Sequence, residues 1–116
     1  MARYLFFASA DKAQDDIWGY TQEVWGVTQA ETYILGLHDH LQKLADKQRV
    51  WHSLPSSLIM PFDLDMKIYF SRYEHHHIFF RKLSDSNIGI MSILHKKSDI
   101  PVRLNADLKE ISNKEV

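Results

Sequence analysis

Two arginines and one histidine have the types and positions that suit phosphate chemistry. Arg72, Arg81 and His95 each lie within or at the end of a segment that is otherwise apolar or aromatic. A guanidinium fork matches phosphate oxygens, and an imidazole can move a proton near neutral pH. On one face of a sheet, the three side chains could therefore grip and cleave a phosphodiester. The alternative is that the arginines point into solvent and that His95 only caps a strand.

Other catalytic or metal-binding patterns are weak in this chain of 116 residues. Cysteine is absent, which excludes disulfides, thiolate metal sites and a thiol nucleophile. The run His75–His77 supplies imidazoles, which are common zinc ligands. Successive residues of a strand point to opposite sides, however, so we expect no metal site. The strand region offers no paired carboxylates, and the glycines form no phosphate-binding loop. We therefore expect no cofactor.

The charge of the chain is distributed unevenly. Residues 1–66 carry five Lys and Arg against nine Asp and Glu, whereas residues 67–103 carry seven against three. The formal net charge of -1 excludes a generally polycationic nucleic-acid coat and leaves a local basic patch open. Such a patch could be Lys96, Lys97 and Arg103, which follow the last predicted strand and suit nucleic acid, an acidic partner or plain solvent.

The N-terminal half of the chain reads as one strand and two helices. The aromatic run Tyr4–Phe7 favours a buried strand. Apolar residues at steps of three and four then predict a helix that ends near Gly26, which can take a positive φ. A capping box from Thr28 to Glu31 predicts the start of a second helix. Only three residues separate the two helices, so we expect an antiparallel hairpin.

The C-terminal half of the chain alternates as strands do. Residues 67–73, 77–83 and 88–94 predict a three-stranded antiparallel meander, because the links between them have hairpin length. We expect the first strand to join this sheet, since a lone strand leaves its backbone unpaired. The helices then cover one face, which gives an α+β, two-layer fold. Regular structure is expected to end near Asp99–Pro101.

A single domain is expected for a chain of this length. We assign it to residues 1–104. The remaining residues, 105–116, form a polar tail for which we expect either a frayed helix or disorder.

A long loop without apolar periodicity covers residues 46–65. Loops of this length in a compact domain often serve a function. An apolar loop packs either on the core of its own chain or on a partner. The apolar residues of this loop are Trp51, Leu58, Ile59, Met60 and Phe62.

The sequence predicts a cytoplasmic protein. No apolar run approaches the ~20 residues of a membrane helix. The apolar stretch at the start of the chain is too short for a secretory signal. The absence of cysteine fits a reducing compartment.

Several short motifs follow one another in a specific order. They are Trp25-Gly26 with Gln29-Ala30-Glu31 and Tyr33, Leu37-His38-Asp39 with Leu44-Ala45, Tyr73-Glu74-His75 with Ile78–Arg81, and Ile93–His95 with Asp99-Ile100. This order resembles the RelE/ParE superfamily, the toxin halves of type II toxin–antitoxin modules, and within it the ParE branch. The similarity spans roughly residues 4–104. The chain departs from the ParE pattern at the 46–65 loop, which is longer than the connector of those relatives.

The resemblance implies a small cytoplasmic toxin with the two-layer RelE/ParE-like fold. It also implies a cognate antitoxin with a ribbon-helix-helix DNA-binding half, so that DNA is contacted only through the antitoxin. The other half of such an antitoxin is flexible and folds around the toxin. Membrane contact is not expected.

Three activities remain open within this resemblance. ParE-like toxins imply binding and inhibition of DNA gyrase, without chemistry of the toxin's own. RelE-like toxins imply ribosome-dependent cleavage of mRNA, with Arg72, Arg81 and His95 as the catalytic residues. The small catalytic set and the net charge of -1 favour gyrase, because ribosomal RNA attracts strongly basic proteins. An inactive toxin, retained for antitoxin binding and autoregulation, is the third alternative.

The predicted contacts fall on two regions. We assign target binding to the end of the last strand and the residues after it, namely His95, Lys96, Lys97 and Arg103. We assign antitoxin binding to apolar anchors of the loop and to two arginines that would meet acidic residues, namely Trp51, Leu58, Ile59, Met60, Phe62, Arg72 and Arg81.

Overall fold

The computed structural model describes residues 2–47, 51–53, 68–83 and 86–114. Within these ranges the chain forms three helices and five strands. In chain order they are β1 (Tyr4–Phe6), α1 (Ala8–Trp25), α2 (Val27–Asp46), β2 (His52–Ser53), β3 (Ile68–Tyr73), β4 (His76–Lys82), β5 (Ile88–His95) and α3 (Ile100–Lys114). None of the described helices is long and apolar enough to cross a membrane.

The helical hairpin is confirmed, but its turn differs from the prediction. Gly26 is the single residue between α1 and α2, and its φ of 97° lies in the region that glycine tolerates best. Its N–H donates to the Gln22 carbonyl at 2.9 Å, and its own carbonyl accepts from the Ala30 N–H at 3.1 Å. The predicted capping box was wrong, because α2 already begins at Val27 and has no side-chain cap. Thr28 therefore lies inside the first turn.

The predicted meander is confirmed as β3, β4 and β5, which pair antiparallel within a sheet of order β1-β5-β4-β3-β2. β1 joins this sheet as expected, in parallel to β5, with Tyr4 opposite Ile88 and Phe6 opposite Ile90. It lies at the edge of the sheet, so Leu5 is 52% exposed rather than buried.

The sheet has a hydrophobic core on each face. On one face, Leu37 and Leu41 of α2 pack with Phe80 and Ile90 of the sheet. On the other face, Leu104 and Leu108 of α3 pack with Phe79 and Met91. The α+β class and the order of strand, helix hairpin and meander are as predicted. Helix α3 adds a further layer.

Helix α3 corrects the expectation for the end of the chain. Regular structure does not stop near Asp99–Pro101, because a helix covers Ile100–Lys114. Leu104, Leu108 and Ile111 are buried, at the spacing of one helical face. The residues predicted as a polar tail therefore belong to this helix up to Lys114. The prediction failed because polar residues separate the three apolar positions and the proline looked like a stop, although proline is tolerated in a first helical turn.

Candidate functional site

A groove of about 1310 Å³ lies between α1 and α3, along the second half of β5. It exists because β1 is short. β1 ends at Phe6, and the chain turns into α1 at Ala8, so β1 pairs with β5 only over Ile88–Ile90. From Ile93 onwards β5 forms the base of the groove, with one helix on each side.

The walls of the groove carry charges of both signs. Lys12 and Asp16 lie on the α1 side, and Arg103, Asp107 and Glu110 lie on the α3 side. Asp107 accepts a hydrogen bond from the hydroxyl of the fully buried Ser92 at 2.6 Å, which attaches α3 to β5. Burial raises the pKa of the Asp107 carboxyl, and the bond from Ser92 offsets part of this rise.

Three histidines meet where the groove reaches the end of the sheet. The ring of His76 lies 5.2 Å from that of His95, and the ring of His75 stacks on His95 at 6.3 Å, centroid to centroid. A hydrogen bond of 2.6 Å joins His76 Nδ1 to the Tyr33 hydroxyl on α2. Burial first, and then the neighbouring His95, lower the pKa of His76 to about 4. Burial also raises the pKa of Tyr33 to about 12, so both groups are neutral at pH 7.

His95 lines the groove, and its ring accepts a hydrogen bond within its own turn. The N–H of Lys97 donates to His95 Nδ1 at 3.0 Å, so the proton of the neutral ring is on Nε2. Burial and then the charges of His75, Lys97 and Lys96 lower the pKa of His95. His95 is therefore a neutral hydrogen-bond donor at pH 7.

The structure does not bring the predicted catalytic set together. Arg72 shares a face of β3 with Phe70, which packs in the α3 core. Arg81 lies on that same side, with its guanidinium 4.9 Å from the Phe7 ring. Its position on β4 is four residues beyond the partner of Arg72, which is roughly 13 Å along the strand. His95 is on the opposite face, against His76. The alternation of side chains along the strands therefore separates the two arginines from His95. The spacing of the residues in the sequence does not show this separation.

The four residues predicted to contact the target lie at one end of the molecule. His95 and Arg103 both line the groove. Lys96 and Lys97 are exposed in the turn that follows β5.

Trp51, a predicted antitoxin contact, packs on the core of this chain. Its indole N–H donates to the Leu44 carbonyl at 2.6 Å. Its ring lies against Tyr69 and Phe80, with centroids 5.0 and 5.2 Å away. The other predicted loop anchors, Leu58, Ile59, Met60 and Phe62, lie outside the described residues.

Sequence reasoning missed an exposed apolar cluster at the end of the hairpin. Tyr20 and Val24 follow the three- and four-residue apolar spacing of the first helix, yet they are 66% and 50% exposed. Trp25 is 70% exposed, and together with Tyr20 it lines the mouth of the groove. Only Ala10 and Ile17 of α1 are buried, since the later turns of the helix extend past the sheet. The feature of the sequence that could have indicated this exposed cluster is Trp25, which directly precedes the turn glycine, Gly26.

Metal ligation has no support in the described residues. Among them, no group of three or more His, Asp or Glu side chains is arranged to hold an ion. The histidine run alternates instead, since His76 contacts Tyr33 whereas His77 stacks on Phe79 of the other face.

Comparison with known proteins identifies the family. A family model described as the ParE toxin of the type II toxin–antitoxin system parDE matches residues 4–100. The chain belongs to the ParE toxin family. The resemblance to the ParE branch is thereby confirmed, and membership in a toxin–antitoxin system implies an antitoxin partner.

Relatives of this ParE-family chain match along nearly its whole length. Toxin ParE of Escherichia coli is 27% identical over 109 residues, which cover 94% of this chain and 99% of the relative. Toxin ParE1 of Mycobacterium tuberculosis is 26% identical over 99 residues, which cover 85% and 94%. A chain of the chromosomal ParDE system of P. aeruginosa has a TM-score of 0.60 at 14% identity, over 82% of this chain and 95% of that one. This last likeness shows a shared fold.

Proposed function

We propose that this ParE-family toxin binds and inhibits DNA gyrase, and that its antitoxin neutralises it by occupying the groove between α1 and α3. The observation that carries the proposal is the exposed aromatic mouth of this groove, formed by Trp25 and Tyr20. Exposed tryptophan and tyrosine side chains beside a concave surface supply much of the energy of protein interfaces. A toxin that acts by binding needs such a surface.

The chemistry of the described residues supports binding over catalysis. The two arginines lie on the face of the sheet opposite His95 and cannot act on one phosphodiester with it. His76 is engaged with Tyr33, and its pKa of about 4 keeps it from gaining a proton at pH 7. We therefore infer that the toxin performs no ribonuclease reaction with Arg72, Arg81 and His95.

The proposal includes where the partners bind. We assign gyrase contact to the end that carries Trp25, His95 and Arg103, with the cations of Lys96 and Lys97 beside it. The antitoxin would be a ribbon-helix-helix protein with a flexible half, and the encounter would take place in the cytoplasm. Acidic residues of that flexible half would meet the exposed Arg72 and, further along the same face of the sheet, Arg81.

A supercoiling assay with purified gyrase and toxin tests the proposed target. We expect the toxin to inhibit supercoiling or to trap the cleaved DNA complex, and we expect the antitoxin to reverse the effect. Full gyrase activity at saturating toxin would contradict the proposal. In that case, toxin-dependent cleavage of mRNA on ribosomes would be the next assay.

A matched pair of tryptophan variants tests the surface. Trp25→Ala removes the aromatic group at the groove, whereas Trp18→Ala removes one on the same helix that does not line it. We expect Trp25→Ala to weaken gyrase inhibition by about tenfold or more, since loss of an interface tryptophan costs roughly 2 kcal/mol. Equal potency of the two variants would place the gyrase contact elsewhere.

A further inference from the structure

Three exposed cations, Lys96, Lys97 and Arg103, form a basic end of the molecule where β5 leads into α3. We propose that this basic end binds the phosphate backbone of duplex DNA, so that the toxin recognises gyrase with its DNA rather than gyrase alone. The inference deepens the proposed function and rests on it, because duplex DNA is the substrate that gyrase holds. It departs from the expectation that the toxin contacts DNA only through its antitoxin.

A well-bonded turn presents the two lysines to solvent. The His95 carbonyl accepts from the N–H of Ser98 at 2.9 Å and from its hydroxyl at 2.5 Å, and the N–H of Lys97 donates to His95 Nδ1. The N–H of Lys96 donates to the His75 carbonyl at 2.8 Å, which joins this turn to the hairpin of β3 and β4. Because the backbone is already held on both sides, binding does not have to order the turn first.

Arg103 places a third cation close to the turn. It lies in the first turn of α3, where its N–H donates to the Asp99 carbonyl at 3.0 Å. Burial raises the pKa of Asp107, and the charge of Arg103 offsets part of that rise, so this arginine is partly balanced within the protein. One strand of duplex DNA carries a phosphate every ~3.4 Å along its axis, so a surface with three such cations faces several phosphates at once.

The positive charge of the two lysines is not neutralised by the described part of the chain. Within it, neither ammonium group forms an ion pair, although Asp99 follows in the same turn. Burial first, and then His75, Lys97 and Lys96, lower the pKa of His95, and no described carboxylate opposes them. The electrostatic potential at this exposed ring is therefore positive, which attracts a polyanion.

The position of the two lysines favours DNA over the antitoxin as their partner. Neither Lys96 nor Lys97 lines the groove that we assign to the antitoxin, and the groove walls carry charges of both signs. The mouth of the groove, with Trp25 and Tyr20, is the surface that we assign to gyrase. Contact of gyrase with this mouth turns the basic end towards the target, where the enclosed DNA offers a regular array of phosphates.

The affinity of the toxin for gyrase with and without DNA tests the inference. The Kd is measured with purified toxin and gyrase, alone or saturated with a duplex, at 50 to 200 mM salt. We expect the Kd to be about tenfold lower when gyrase holds the duplex. We also expect a slope of about -2.7 in log K against log salt, beyond that of gyrase alone, since each phosphate contact adds about -0.9. Equal Kd values and equal slopes in the two states would overturn the inference.

Charge variants separate contact with DNA from a change in the shape of gyrase. The double variant Lys96→Gln with Lys97→Gln should lose most of the preference for DNA-bound gyrase, and its salt slope should be shallower by about 1.8. The control is Lys82→Gln with Lys109→Gln, which has the same net charge. Both control lysines are exposed, Lys82 at the opposite end of the sheet and Lys109 outside the groove lining. Equal slopes of the two double variants would contradict a contact between the basic end and DNA.

The antitoxin is the competing partner for these lysines. We expect the Kd of the Lys96→Gln, Lys97→Gln variant for the co-expressed antitoxin to equal that of the unmodified toxin. Weaker antitoxin binding with an unchanged preference for DNA-bound gyrase would assign the lysines to an acidic antitoxin segment and overturn the inference.

These outcomes separate the inference from the proposed function. If the toxin inhibits gyrase but binds it equally with and without DNA, only the DNA contact is excluded. If the toxin neither binds nor inhibits gyrase in either state, the proposed function fails, and the inference fails with it.

Discussion

At the scale of single residues, two helical glycines of similar sequence context have different surroundings. A Cβ built on Gly19 meets nothing within 4 Å. A Cβ built on Gly36 would lie 2.1 Å from the Tyr73 hydroxyl, which reaches α2 from the end of β3. The close approach of α2 to the sheet at this point therefore depends on the missing side chain. It also keeps Tyr73 beside the Tyr33 ring, at 5.2 Å between centroids.

The two glycines make a matched pair of alanine substitutions. We expect Gly19→Ala to stabilise the protein by about 0.5–1 kcal/mol, since alanine is the better helix former and the space is open. Gly36→Ala should lose this gain and become destabilising by about 1 kcal/mol or more, because the Tyr73 ring must move. Urea unfolding of both variants checks the signs. A stabilised Gly36→Ala variant would show that α2 and Tyr73 separate easily.

At the scale of elements, α3 is the helix that the sequence patterns did not predict. It buries Leu104 and Leu108 against Phe79 and Met91, and it forms one wall of the groove. The hydrogen bond from the Ser92 hydroxyl to Asp107 also joins α3 to β5. The helix therefore completes both the second core and the candidate site.

Loss of core packing under α3 should destabilise the whole domain. We expect Leu108→Ala to lower the free energy of unfolding by about 2–5 kcal/mol, as for other fully buried leucines. Val102→Ala, on the same helix but 64% exposed, should change it by less than about 0.5 kcal/mol. Denaturant unfolding of both variants measures the difference. A small effect of Leu108→Ala would indicate that α3 contributes little to the stability of the sheet.

At the scale of the whole molecule, neutral histidines connect α2 to the other elements. His38 hydrogen-bonds Tyr4 of β1 and Gln14 of α1. His40 reaches Ser71 of β3 at 2.9 Å, and Tyr33 reaches His76 of β4. Burial is the main cause that lowers the pKa of each of the three rings.

These lowered pKa values predict that acid destabilises the fold. The unfolded chain binds protons at these histidines near pH 6.5, whereas the folded chain binds them only at lower pH. The stability that they contribute is therefore complete above pH 6.5 and is lost as the pH falls towards the folded pKa, which is about 4 for His76. Asp107 has a raised pKa and acts in the opposite direction at the lower end.

Unfolding midpoints at pH 7.5, 6 and 5 test this prediction. We expect the midpoint to fall steadily over this range, and we expect His76→Phe to reduce the slope because one titrating ring is removed. Val102→Ala, at a 64% exposed position of α3 without a titratable group, should leave the slope unchanged. A midpoint that stays constant from pH 7.5 to 5 would contradict the role of the buried rings.

The class, the order of elements and the family could all be inferred from local patterns in the sequence. Leu37, Leu41 and Leu44 recur on one helical face, and the strands of the meander alternate, because each pattern is local and needs no knowledge of distant residues. Gly26 marked the hairpin for the same reason. The ParE resemblance rested on short motifs in order, and it was confirmed over residues 4–100.

Which residues share a site depends on how segments distant in sequence pack together. Arg72, Arg81 and His95 each lie within or at the end of a strand in the sequence. In the fold, the two arginines lie on one face of the sheet and His95 lies on the other. Trp25 follows the apolar spacing of α1, yet its side chain is 70% exposed, because the last turns of α1 extend past the end of the sheet. The groove arises where β1 ends before β5 does, and the relative length of two strands distant in sequence is a property of their packing.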